Sequence, residues 1–542
     1  VKKTKKALPP LKYSGLKLYN IILLKFLYNI FGGNWGGENM KHNLVYNLGA
    51  AFITFFLSAF ITFWMTPYII SNLGSEAYGF IPLTQNLISI LSVLTVALSS
   101  VIARFFTVAI TQESYYKAEG YFNTYLITSL VGSVFIFSLI VVAIIYIDKL
   151  INVPLNLLND VRLALLFSGT LVIITFIKSL FLAGPFSQNK LYITKGIEAS
   201  NAILKALFII VLLTILTPKI WYVNLGAMIA GLISLFISIY IFKKVIPKIS
   251  LNTKSFSFKK LKELLSAGAW NSIGQIGVLL FLAIELLVAN NVLGATKAGI
   301  YAAIIQLPLL LRTIASIIAG VFAPVIIKNY ANNNMNGLII YSNKAVKLNG
   351  LLIALPAALM CGMAGAILDV WLGPEFIEYK WLLILNSAYL IFTLSVLPLT
   401  HIYTAVNRLR VPGIVTLFLG FLNLILAVYL AGYTVLGLYG IVLAGSIALI
   451  LKNFLFIPLY SSYITKQQFS IYYKGVLQPI IGALFAVGLC IFLQMYIDIT
   501  GWGALISTGI IVTLGYLIFS YVLLLNREEK QILINLIRSI VK

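Results

Sequence analysis

Leu73-Gly74-Ser75-Glu76-Ala77-Tyr78-Gly79 recurs 220 residues downstream as Leu293-Gly294-Ala295-Thr296-Lys297-Ala298-Gly299. Each copy stands between two long apolar runs, and its paired glycines permit backbone turns that a Cβ would hinder. Both read as tight turns between consecutive membrane spans. Working outward from them, the chain divides into fourteen apolar stretches, at 44–71, 80–104, 121–147, 161–183, 196–217, 220–242, 267–291, 299–327, 346–370, 381–405, 411–432, 436–459, 475–497 and 502–525. Each is close to the roughly 20 residues needed to cross a bilayer core. Pro67, Pro82, Pro308, Pro324, Pro356 and Pro398 lie inside or near span ends, where neighbouring helices can satisfy the backbone groups that a kink frees.

Composition agrees. Of 542 residues, 61% are hydrophobic and 10% charged, with a mean hydropathy of +1.00 and a formal net charge of +24. Soluble domains carry about 25% charged residues, so a soluble nucleic-acid-binding protein is excluded as the source of the basic excess. The excess has a topological address instead. With the N-terminus inside, the cytoplasmic loops and tails collect Lys2 to Lys41, Arg104, Lys117, Lys190, Lys195, the lysines from Lys243 to Lys262, Lys328, Lys344, Lys347, Arg408, Arg410, Lys466, Lys474 and Arg527 to Lys542. The outer loops hold only Lys149, Arg162, Lys219, Lys297 and Lys380. This is a positive-inside pattern with both termini cytoplasmic.

The expected class is an all-α polytopic membrane protein of about fourteen transmembrane helices, two six-helix lobes plus two C-terminal helices. Residues 1–40 form a basic interfacial extension, with Met40 an alternative start. Residues 41–242 form the first lobe, 243–266 a cytoplasmic amphipathic linker, and 267–460 the second lobe. Residues 461–525 form spans 13 and 14, and 526–542 a cytoplasmic tail. In the linker, the apolar/basic alternation Phe256 to Leu265 suits a surface helix. Two lobes in the same orientation are the repeat arrangement of many transporters.

Ionisable residues inside spans mark pathways by default. They are Lys178, Glu198, Lys205, Glu285, Arg312 and Lys452, with Arg104 at the rim of span 2. Glu198, Asn201 and Lys205 follow an i, i+3, i+7 spacing and share one helix face. Lys178 and Lys205, on the two arms of one hairpin, are expected at similar depth. Arg104, Lys178, Lys205 and Arg312 are the candidates for an anionic headgroup, because Arg binds phosphate bidentately and Lys acts as a point charge. Glu198 and Glu285 are candidates for pairing or ion coupling. Gln85, Asn86, Asn271, Gln275 and Gln306 are candidates to line the cavity, whereas Lys452 and His401 read as structural. Cys361 and Cys490 lie in apolar runs, and no nucleotide, metal or catalytic motif appears, so no cofactor, no metal and no enzyme activity are expected.

The Leu-Gly-x-x-x-Tyr-Gly turn at Leu73 to Gly79, its partner at Leu293 to Gly299, Arg104 after span 2, Ala323-Pro324 at the end of span 8 and the twelve-plus-two span count together resemble the polysaccharide flippases. These are the O-antigen/repeat-unit (Wzx-like) translocases of the multidrug/oligosaccharidyl-lipid/polysaccharide (MOP) exporter superfamily. The resemblance covers residues 41–525 and implies a central cavity between two lobes. It also implies translocation of a polyprenyl-pyrophosphate-linked oligosaccharide to the outer leaflet of the plasma membrane. With no nucleotide motif present, coupling to H+ or Na+ or the downhill removal of product, with glycan polymerase or glycosyltransferase partners, is expected to supply direction. The alternatives are an ion-coupled multidrug/cation antiporter of the same superfamily, which calls for carboxylates in the first lobe, and a membrane glycan polymerase or glycosyltransferase, which calls for acidic residues in a large outer loop. The acidic cluster at Asp369, Glu375 and Glu378 spans a short one.

Overall fold

The computed structural model describes residues 38–250, 255–406, 408–527 and 529–531; most of the basic extension and the end of the tail lie outside them. Among the described residues there is no strand, and 13 helices are long and apolar enough to cross a membrane, or 14 with one bent pair counted as a span. In chain order they are α1 (Glu38–Leu73), α2 (Ser75–Thr111), α3 (Tyr115–Ile145), α4 (Leu158–Ser187), α5 (Leu191–Ile215), α6 (Trp221–Val245), α7 (Phe258–Leu293), α8 (Ala295–Tyr330), α9 (Met335–Gly362), α10 (Pro374–Ser395 and Leu397–Ala405), α11 (Arg410–Gly432), α12 (Leu438–Thr465), α13 (Lys474–Gln494) and α14 (Gly501–Leu524). The bent span is α10. Its halves meet at 42°, beside Pro398, which has no N–H to give an unbroken ladder.

Packing follows the repeat. In the first half α5 lies against α1, and α4 against α2 and α6; in the second, α11 lies against α7 and α12, and α8 against α10. α13 packs along α9, so the last two spans attach to the second half.

The two repeat turns hold their glycines where the sequence requires them. Gly74 and Gly294 have φ of +83° and +92°, in the region L side chains avoid. Gly79 and Gly299 touch each other across the seam between the halves. A Cβ on Gly79 would lie 2.5 Å from the Gly299 Cα, and one on Gly299 would run into the Ser75 carbonyl. The same end, called here the turn end, carries an amide ladder between the α3–α4 loop and α7. The Asn152 N–H donates to the Asn290 Oδ1 at 2.8 Å, the Asn290 Nδ2 returns to the Asn152 carbonyl at 3.2 Å, and the Asn291 Nδ2 reaches the Leu150 carbonyl at 3.0 Å. A third tie joins α1 to the short helix Ala364–Leu372. Trp371 stacks on Phe63 at 5.0 Å and donates its Nε1–H to the Phe63 carbonyl at 2.9 Å.

Nearer the opposite, basic end the seam runs between α2 and α7. The Asn271 Nδ2 donates to the Ser100 Oγ at 3.0 Å, and the Ser272 hydroxyl to the Val93 carbonyl at 3.3 Å. Gly268 leaves no room for a Cβ against the Ala97 carbonyl.

Two expectations need correction. The amphipathic stretch from Phe258 to Leu265 is not a separate surface helix: it is the first two turns of α7, capped by the Ser257 hydroxyl, which accepts from the Lys260 N–H. It is tied to protein through Leu264, which is fully buried, and Glu263, which accepts from the Tyr121 hydroxyl of α3 at 2.6 Å, while Phe258 and Leu265 stay exposed. Lys347, counted with the cytoplasmic loops, stands inside α9 with its side chain 6% exposed, paired to Glu529 at 2.6 Å. A buried charge requires such a partner.

Candidate functional site

The stripe Glu198, Asn201 and Lys205 on α5 faces one cavity, of about 350 Å³. The opposing wall is α1, where Ser58, Thr62 and Thr66 present hydroxyl-bearing side chains at i, i+4, i+8. That helical spacing is visible in the sequence, yet the wall was missed because Ser and Thr inside a span also bond back to their own helix. Here the Thr62 hydroxyl donates to the Ser58 carbonyl and the Thr66 hydroxyl to the Thr62 carbonyl, both at 2.9 Å, so each oxygen can still accept a hydrogen bond. α2 supplies Gln85 and the motif tyrosine Tyr78, whose hydroxyl lies beside the Thr66 and Gln306 side chains. Gln306 comes from α8, so the second half closes a cavity otherwise built by the first. Gln85 and Gln306 occupy matched places after the two repeat turns, and both line it.

The charges in this cavity are unequal. Glu198 accepts from Lys195 at 2.6 Å, one turn earlier on α5, and Lys178 lies within electrostatic reach of it. Lys205 has no ion-pair or hydrogen-bond partner among the described residues. Its ammonium is the free charge of the cavity. Lys178, on α4, does not line it.

A second polar centre lies inside the other half. Tyr301 of α8 donates to the Glu285 Oε2 of α7 at 2.6 Å, and the Arg312 Nη2 of α8 donates to the Tyr389 hydroxyl of α10, which also faces Asn386. Glu285 is 6% exposed and fits only because position 445 is glycine: a Cβ there would run into the carboxylate. Glu285 and Arg312 border a gap of about 10 Å³, the space of a single water. Lys452 lies in a π-helical stretch of α12, Ile450–Phe456, with its ammonium 5.0 Å from the Phe281 ring centroid.

The four headgroup candidates are therefore not brought to one cavity. Lys205 faces the large cavity and Arg312 the small gap, whereas Lys178 and the exposed Arg104 of α2 line neither. Sequence spacing fixes faces on one helix; it does not fix which helices meet.

Comparison with known proteins places this geometry. Residues 44–330 match the family described as polysaccharide biosynthesis protein. The chain is 46% identical over 493 residues, 91% of its length and 98% of the relative's, to an uncharacterized membrane protein EpsK of Bacillus subtilis (strain 168). Among solved structures, the lipid II flippase MurJ in an inward closed conformation aligns with a TM-score of 0.64 at 17% identity, over 87% of this chain and 97% of that one. An inward-facing multidrug resistance MATE transporter of the MOP superfamily aligns with a TM-score of 0.60 at 18% identity, over 76% and 95%. The all-α, many-span architecture is thus a fold shared with a flippase and with multidrug transporters. The chain belongs to the polysaccharide biosynthesis protein family.

Proposed function

We propose that this protein flips a polyprenyl-pyrophosphate-linked oligosaccharide from the cytoplasmic to the outer leaflet of the plasma membrane, with both termini cytoplasmic, and that it moves its substrate without chemically altering it. The observation that carries this reading is the seam cavity. It presents polar side chains among apolar ones, has a free lysine, is large enough for part of a glycan headgroup, and is bounded by both halves of a protein of the polysaccharide biosynthesis family. The halves, residues 41–242 and 267–460, rock about the seam and expose the cavity alternately to the two sides, while the lipid tail stays in the bilayer. Arg104, Lys178, Lys205 and Arg312 are the cations available to an anionic headgroup, and Lys205 alone among them faces a cavity of ligand size. H+ or Na+ coupling, or removal of the product by a polymerase or glycosyltransferase, supplies direction.

The antiporter reading is weaker on one specific ground. A cation site needs a carboxylate free to bind the cation, and Glu198 is held by Lys195 while Glu285 is held by Tyr301 beside Arg312. Depletion of the protein in cells tests the flippase reading. Lipid-linked oligosaccharide should accumulate where only glycosidases inside the cell reach it. An unchanged leaflet distribution contradicts the proposal.

A further inference from the structure

The seam cavity divides the labour of headgroup recognition. A pyrophosphate diester carries a negative charge on each phosphorus, and burying it calls for several cations. The cavity offers one free ammonium, Lys205, since the charge of Glu198 is already matched by Lys195. The rest of its polar lining is neutral: Ser58, Thr62, Thr66, Gln85, Asn201 and Gln306. Gln85 is exposed into it and makes no hydrogen bond with another described residue. Asn201 is fixed by the Ser234 hydroxyl at 3.1 Å, which leaves its amide N–H groups to donate. Amides that donate and accept, hydroxyls with spare lone pairs and a volume of about 350 Å³ suit the hydroxyl-rich rim of a sugar ring far better than a phosphate.

We infer that this cavity is a saccharide subsite, in which Lys205 selects a sugar bearing a carboxylate and Gln306 completes the site from the second half. The pyrophosphate is then held outside it. Lys205 pairs one to one with the carboxylate, so the bound sugar leaves no unmatched charge. Because Gln306 belongs to the other half, the subsite is complete only while α1, α5 and α8 keep their present spacing, and separation of the halves dismantles it. The meaning of the sugar as part of a lipid-linked substrate rests on the flippase reading; the existence of the subsite does not.

The test separates the two. In protein with Cys361 and Cys490 changed to Ala, the variant Ala202→Cys places a thiol on the cavity wall, and its alkylation rate in detergent is measured with glucuronate, glucose or inorganic pyrophosphate present. Glucuronate should protect about tenfold better than glucose, the effect of one charged hydrogen bond, and pyrophosphate should protect least. Lys205→Gln should erase the glucuronate preference and Lys205→Arg should keep it, while Gln306→Ala should weaken protection by both sugars. Protection by pyrophosphate equal to that by glucuronate, a preference that survives Lys205→Gln, or no protection by either sugar overturns the proposal. Should Lys205→Gln fail to fold, Lys205→Arg and Gln306→Ala still decide it through the same comparison. Protein that shows the protection yet moves no lipid-linked oligosaccharide keeps the subsite and loses the transport reading.

Discussion

Gly79→Ala should unlock the turn end. The new Cβ would lie 2.5 Å from the Gly299 Cα and 2.8 Å from its nitrogen, whereas carbon contacts settle at about 3.5–4.0 Å. Both obstructing atoms are backbone in the first turn of α8, so no side chain can swing aside, and α2 and α8 must part by about 1 Å. Overpacking of this kind costs about 2 kcal/mol, a shift of about thirtyfold against the closed arrangement. The readout is the separation of Asn152 and Asn291, whose backbone carbonyl accepts from the Asn152 Nδ2 at 3.2 Å at the same end of the molecule. With Cys361 and Cys490 changed to Ala, spin labels on Asn152→Cys and Asn291→Cys report its distance distribution by pulsed electron resonance. Gly79→Ala should move population from a short to a longer distance. Gly413→Ala, whose Cβ meets nothing within 4 Å, should leave the distribution alone. An unchanged distribution in Gly79→Ala would refute the argument that the paired glycines set how closely the halves approach.

Two further outcomes concern the second half. Lys347→Met strands the buried Glu529 carboxylate and should lower stability by about 3 kcal/mol, read as a thermal shift in detergent; Lys347→Met with Glu529→Met should recover most of it, and equal losses in the single and double variants would show that the pair is not what holds the tail. Gly445→Ala should displace the Glu285 carboxylate from Tyr301 at a cost of about 2 kcal/mol, and combining it with Glu285→Ala should give less than the sum of the two losses. Strict additivity there contradicts the contact.

Much of this was legible before any coordinates. The turn glycines were readable because a repeat at fixed spacing marks equivalent places in two like units, and Gly74, Gly79, Gly294 and Gly299 stand where a tight turn and a close approach require them. The common face of Glu198, Asn201 and Lys205 follows from helical period, and the structure turns that face into one cavity. What escaped depends on contacts between distant segments. Lys347 looks like a loop lysine until Glu529, 182 residues on, is folded against it. The stretch from Phe258 to Leu265 has the pattern of a membrane-surface helix because Tyr121, which draws it onto α3, lies 142 residues earlier than its partner Glu263. Arg312 and Lys205 are both buried cations in sequence terms, yet they enter different cavities because α5 and α8 present them to different neighbours.

On the flippase reading, lipid-linked oligosaccharide passes through the seam cavity. The most direct test is the purified chain in sealed proteoliposomes, with a glycosidase outside and a fluorescent polyprenyl-pyrophosphate disaccharide that contains a uronate. Inner-leaflet donor should become cleavable with wild-type protein and without nucleotide, and Lys205→Ala should slow this while Arg410→Ala should not. Transfer at the rate of protein-free vesicles, or an undiminished rate in Lys205→Ala, would contradict it.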